Sequence, residues 1–122
     1  MDMRLELIIL PTADVERAKV FYTERLGFNL DQDNKVGDQL RFVQLTPPGS
    51  ACSIAIGKGL TDATPGSVKG IQVVVESAQQ AHDELKDRGV EVSDVEEHPW
   101  GKFVYFTDPD GNAWSVQELP PR

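Results

Sequence analysis

A single cysteine, Cys52, stands among 122 residues, so no internal disulfide can form. No Cys/His cluster offers a structural zinc site either. Long hydrophobic runs are also missing. The opening MDMRLELIIL is short and carries Asp2, Arg4 and Glu6, so neither a membrane span nor a secretory signal is read there, and a cytoplasmic protein is expected. Positive charge is scarce: 12 Lys and Arg stand against 20 Asp and Glu, a formal net charge of −8. Nucleic acid and anionic membranes need a basic stripe, so neither is an expected partner. The acidity is compatible with a cationic small molecule, and equally with plain solubility.

At 122 residues the chain has room for one domain, 1–122, with one moderate core. LELIILP (5–11) reads as a strand, and Asp14 is the N-cap of a helix whose apolar face is Val15, Ala18, Tyr22 and Leu26. Gly27 closes that helix. QLRFVQL (39–45) and SACSIAI (50–56) read as strands joined by the turn TPPG. The second half repeats the order. GIQVVVE (70–76) is a strand, and Ser77 with Gln80 forms a capping box before the stripe Ala78, Ala81 and Leu85. VEVSDVEEH, FVYFTD and AWSVQEL are three more strands, separated by the turns PWGK and PDGN.

Superposing the halves relates Leu7 to Gly70, Asp14 to Ser77 and Tyr22 to Leu85, and then, one residue shorter, Gly27 to Gly89 and Ser53 to Ser115. PPGSACSI and PDGNAWSV share four of eight positions in register with the helices. The chain is a duplicated strand–helix–strand–strand–strand unit, with module 1 at about 4–60 and module 2 at about 67–119.

A βαβββ unit written twice, with DVERAKVFYTERLGF early and FTDPDGNAWSVQE late, resembles the vicinal oxygen chelate superfamily. That group includes glyoxalase I, the bleomycin-resistance proteins and the extradiol dioxygenases. The resemblance implies an α+β fold in which two tandem βαβββ modules form a curled mixed sheet around a cleft, helices outside. It also implies a homodimer, often with a cleft built from both chains. Strand alternation then turns Ile8, Leu10, Ile71, Val73, Trp114 and Val116 toward the helices. The cleft side receives Leu7, Ile9, Ala51, Ser53, Ala55, Gly70, Gln72, Ala113, Ser115 and Gln117.

Metal-using members of the superfamily hold a divalent ion with four His, Glu or Gln side chains. Carried over, those positions are Leu7, Ser53, Gly70 and Ser115, and none is a usual ligand. A slip of the alignment would offer Glu6 or Gln117, but a one-residue slip turns a strand side chain to the other face. No metal site and no cofactor are therefore expected. Without the ion, isomerisation, epimerisation and ring cleavage lose their main electrophile. A lining of Ala, Ser, Gly and Gln suits reversible binding of a flat or apolar molecule instead.

The remaining candidates each have a plain reading. His82 is expected to be a solvated helix residue. His98 opens the HPWGK hairpin as a turn residue, or acts at a cleft mouth as a lone general acid or base. Trp100, in the same turn, is a candidate for ligand stacking or a dimer contact. Trp114 is expected in the core, and Cys52 as a small core residue rather than a nucleophile. Phe42, Phe103 and Tyr105 alternate along third strands with their face left open. Asp108, Asp110 and Asn112 imitate a calcium loop, but residue 119 is Leu where such a loop needs Glu. Three functions stand: a metal-free binding protein of the sequestration or resistance type, an enzyme of the same fold with an atypical or absent metal site, and a non-catalytic interaction module.

Overall fold

The computed structural model describes residues 1–121. Asp14 accepts the Arg17 amide at 3.0 Å and Ser77 Oγ accepts the Gln80 amide at 3.1 Å, so both helices start where short polar side chains satisfy their first free N–H groups. Module 1 runs β1 (Leu7–Ile9), α1 (Val15–Val20), β2 (Asn29–Val36), β3 (Leu40–Thr46) and β4 (Ser53–Lys58). Module 2 runs β5 (Ile71–Val75), α2 (Ala78–Asp87), β6 (Glu96–His98), β7 (Gly101–Thr107) and β8 (Ala113–Glu118). After Val20 the first helix widens into a π-helical turn, Phe21–Arg25, in which the Leu26 amide reaches the Phe21 carbonyl at 3.1 Å.

Each module builds one mixed four-stranded sheet, ordered β1-β4-β3-β2 and β5-β8-β7-β6. The parallel pairs β1/β4 and β5/β8 are the ones bridged by the helices. The sheets remain separate and form no closed barrel. Ala18 and Ala78, both fully buried, seat the two helices. The helix-facing rows follow the alternation: Leu10, Trp114 and Val116 are buried, with Ile8, Ile71 and Val73 packed against them. Among the described residues no helix is long and apolar enough to cross a membrane.

Three local expectations are corrected. The first strand is shorter than 5–11. Of VEVSDVEEH only Glu96–His98 is strand, because Ser93 takes the Tyr105 backbone with both its amide and its hydroxyl and detaches the preceding residues. Cys52 is half-buried just before β4, not a core residue.

On the helix side of the first sheet, Asp33 binds Arg41 Nη2 at 2.8 Å and Lys19 Nζ at 2.7 Å, and Arg41 also pairs with Glu16. Bonds to Arg41, then to Lys19, hold the Asp33 carboxyl well below the usual carboxylate range. A depressed folded-state pKa contributes stability that is present above the unfolded value near 4 and is lost as pH falls below it. Asp33→Asn is expected to cost no more than about 1 kcal/mol at pH 7, since the cluster is partly solvated and screened. That difference should shrink steadily below about pH 4. Urea melts of both proteins across pH 7 to 3 measure it, and a difference that grows toward acid would refute the assignment.

Candidate functional site

Strand pairing fixes which side chains share the sheet faces turned away from the helices. In the first sheet Leu7 pairs with Ser53, Ile9 with Ala55, Gln44 with Ala55 and Phe42 with Gly57. In the second, Gln72 pairs with Ser115, Val74 with Gln117, Phe103 with Gln117 and Tyr105 with Ser115. Leu7, Ile9, Ser53, Gln72, Ser115 and Gln117 thus stand on these helix-free faces. Gly70 precedes β5, with nothing near the position of its missing side chain. Phe42, Phe103 and Tyr105, whose side the sequence left open, join the same faces.

The register corrects the carried-over metal positions. The residue opposite Ser115 is Gln72, not Gly70, so the partner of Leu7 in the second module is two residues further on. The four positions become Leu7, Ser53, Gln72 and Ser115. Gln72 Nε2 already donates to Gln117 Oε1 at 2.7 Å. Gln117, two residues after Ser115, shares its face, so reaching it needs no reversal of the strand. One aliphatic side chain, two hydroxyls and an amide are a poor donor set for a first-row cation. Among the described residues no three His, Cys, Asp or Glu side chains converge.

The first sheet carries a continuous polar network. Asn34 donates to Gln32 at 2.7 Å, Gln32 to Gln44 at 2.9 Å, and Gln44 to Ser53 at 3.3 Å. Thr46 closes the row against Ser53 at 2.6 Å and binds Asp31. Ser53 is 5% exposed, yet its hydroxyl is fully partnered. Sequence reasoning missed the β2 members because a polar strand rich in Asn and Asp carries no strand signal, and it left Gln44 and Thr46 of β3 unassigned although that strand was legible.

The second sheet carries rings instead. His98 stacks on Trp100 at 5.1 Å between centroids, meets Phe103 edge-on at 5.6 Å, and Phe103 stacks on Tyr105 at 6.0 Å. Partial burial, followed by the Glu96 carboxylate, raises the Tyr105 phenol above its ordinary value. Trp100 is 59% exposed, and its carbonyl accepts from Gln117 Nε2 at 2.9 Å, which ties the hairpin tip to β8. His98 lies on an exposed strand end and pairs with Gly101. Among the described residues no side chain is hydrogen-bonded to its ring, so nothing fixes the tautomer a general base needs. His82 departs from expectation: its side chain is only 13% exposed, against Asp83 at 2.9 Å and Asp94 at 3.9 Å.

The late acidic turn is a buried junction. Asp108 Oδ2 accepts the Tyr22 hydroxyl at 2.6 Å and Asn112 Nδ2 at 2.9 Å. Its Oδ1 accepts the amides of Asp110 at 3.0 Å and Asn112 at 2.9 Å. Asn112, fully buried, reaches the Pro11 carbonyl at 3.0 Å and accepts the Gly66 amide at 3.1 Å. Asp110 binds Thr12 Oγ1 at 2.6 Å and the Ala13 amide at 2.9 Å. Burial, then the Asp108 charge, pushes the Tyr22 phenol far up, so it remains a donor. These oxygens are consumed by bonds within the turn and by bonds to Tyr22, Thr12 and Ala13 of the first module, rather than turned outward to a cation.

Tandem modules, helices on one side of each sheet and open faces on the other define a glyoxalase-like α+β protein. The chain belongs to the Glyoxalase/Bleomycin resistance protein/Dioxygenase superfamily, whose family model matches residues 4–116. It is similar to TnmS3, an antibiotic binding protein from Streptomyces sp. CB03234, with 31% identity, 98% of each chain covered and a TM-score of 0.88. A glyoxalase/bleomycin resistance protein from the same Streptomyces strain is 32% identical, over 93% of this chain and 99% of that one, with a TM-score of 0.81. YetH of Bacillus subtilis (strain 168) is 28% identical over 86% of this chain and 89% of its own length.

Proposed function

We propose that this chain reversibly binds a small organic molecule on its helix-free faces, without a divalent metal, as a sequestration or resistance protein does. The observation that carries this reading is the contrast between the two faces. One offers a row of amides and hydroxyls, the other a row of aromatic rings with Trp100 exposed, and the four usual ligand positions hold no imidazole or carboxylate. Such surfaces hold a flat ligand by stacking and by edge hydrogen bonds. The similarity to an antibiotic-binding protein supports the same class of ligand.

The reading includes a homodimer. No cavity described within one chain is lined by both faces. Ile9 and Val74, on those faces, are 40% and 60% exposed. A second copy that brings its own face across would cover these side chains and enclose a cleft. The net charge of −8 favours cationic ligands by long-range attraction.

Two titrations test the proposal. Ni, Zn, Mn and Fe should show no stoichiometric association at micromolar concentration, and a one-per-site complex would sink the metal-free reading. A screen of planar cationic aromatics should find a ligand that quenches indole fluorescence, with Trp100→Ala weakening it by roughly tenfold, the order expected for an exposed stacking contact. Unchanged affinity in Trp100→Ala would remove the aromatic row from the site. Turnover of an α-keto or thioester substrate that is lost in His98→Ala would favour the enzyme reading instead.

A further inference from the structure

A cavity of about 170 Å³ lies on the opposite side of the second sheet, beneath α2 and beside the end of the first helix. Its walls include Phe28, Val73, Leu85, Phe106 and Trp114, all carbon-rich. It opens to solvent along one side, a groove rather than a sealed void. Its volume matches that of a benzene-sized guest. Trp114 and Phe106 form the floor, at 2% and 6% exposure, while Val73 and Leu85 remain half-buried around the opening. On α2, the side facing this gap is supplied partly by Ala81, whose methyl leaves the space unfilled.

Three charged residues stand at the mouth: Arg25, Glu84 and Arg88. Arg88 Nη2 already binds Glu84 Oε1 at 3.0 Å. Arg25 Nη1 donates to the Arg88 carbonyl at 2.6 Å, and among the described residues no carboxylate pairs with it. Both guanidinium groups lie close over glycines. A Cβ on Gly89 would lie 2.6 Å from Arg25 Nη1, and one on Gly27 would lie 2.7 Å from Arg88 Nη1. Each guanidinium therefore rests across the glycine that ends the other module's helix. The result is an apolar chamber with a held cation at its entrance whose charge is not neutralised by a side chain.

We infer that this chamber is a second small-molecule site, specific for a compact carboxylate with an aryl or short alkyl body. The apolar body lies against Trp114 and Leu85, and the carboxylate reaches Arg25. The inference does not depend on what the helix-free faces bind.

Benzoate, toluene and benzylamine share a ring and differ in charge, so they serve as probes in NMR titrations of the full chain. Benzoate is expected to shift the Val73 and Leu85 methyls and the Trp114 indole saturably, and to leave the Trp100 indole in place. It should bind about fivefold tighter than benzylamine, the scale of a partly solvated charge-assisted contact. Arg25→Gln, at an exposed position, should erase that preference and leave toluene unaffected. Ala81→Phe should abolish binding of all three probes, and Ala81→Leu does the same work with less bulk where the larger residue prevents folding. Absence of saturable shifts at Trp114, shifts confined to Trp100, benzylamine equal to benzoate, or benzoate binding unchanged in the filled variant each overturns the site.

Discussion

Asp108→Ala is expected to lower the unfolding free energy by about 3–5 kcal/mol, a large share of a single domain's stability. The carboxylate is 4% exposed and accepts from four donors. Removing it takes an acceptor from a phenol, from a side-chain amide left with only the Pro11 carbonyl, and from two backbone N–H groups. Tyr22→Phe deletes only one of those donors and should cost about 1–2 kcal/mol. It also takes from Trp114 Nε1 the acceptor it has at 3.1 Å. Urea unfolding followed by circular dichroism at pH 7 measures both. A loss below about 1 kcal/mol for Asp108→Ala would show that the junction is solvated and that its bonds are exchangeable with water.

The second large effect is expected at Gly101. Its φ of +140° is one that residues with a side chain rarely adopt. A Cβ there would run into the Glu118 carbonyl and lie 3.3 Å from Gln117 Nε2. Strain and displacement of the main chain together should make Gly101→Ala cost more than about 3 kcal/mol. The damage should fall on the hairpin that bears His98 and Trp100, since Gln117 holds the Trp100 carbonyl from the strand that would be pushed aside. Gly37 provides the control. It also has positive φ, +61°, but open space around it, so Gly37→Ala should cost only about 1 kcal/mol. Thermal melts and the wavelength of Trp100 emission report the two outcomes. Equal, small losses at both glycines would mean that the hairpin yields without resistance.

Much of this architecture was legible because it follows local rules. Asp14 and Ser77 are short polar residues placed before apolar stripes, and both cap helices. Trp114 and Val116 alternate with Ser115 and Gln117, and period-2 alternation fixed their faces correctly. The β5 ligand position falls at Gln72 rather than Gly70 because the run from β5 to its helix is two residues shorter than the run from β1: Leu7 precedes Asp14 by seven, Gln72 precedes Ser77 by five. Matching the helix caps therefore pulled the strands out of step. β2 was not located because its eight residues, NLDQDNKV, contain two Asp and two Asn. It is an edge strand whose stability comes from ion pairs on one side and amide bonds on the other. The role of Asp108 was hidden for another reason. Its partner Tyr22 lies 86 residues away, and no spacing within a turn encodes a contact of that range.

The polar row on the first sheet has a chemical consequence of its own. Gln32, Gln44 and Asn34 carry a donor and an acceptor on the same rotor, and Ser53 and Thr46 do so on one oxygen. The row nevertheless has one direction: the Asp31 carboxylate only accepts, so Thr46 donates to it, Ser53 donates to Thr46, and Gln44 must turn its N–H toward Ser53. A single carboxylate at one end thus sets the sense of every bond along the row. Replacing that carboxylate by an amide would leave the row free to run in either sense.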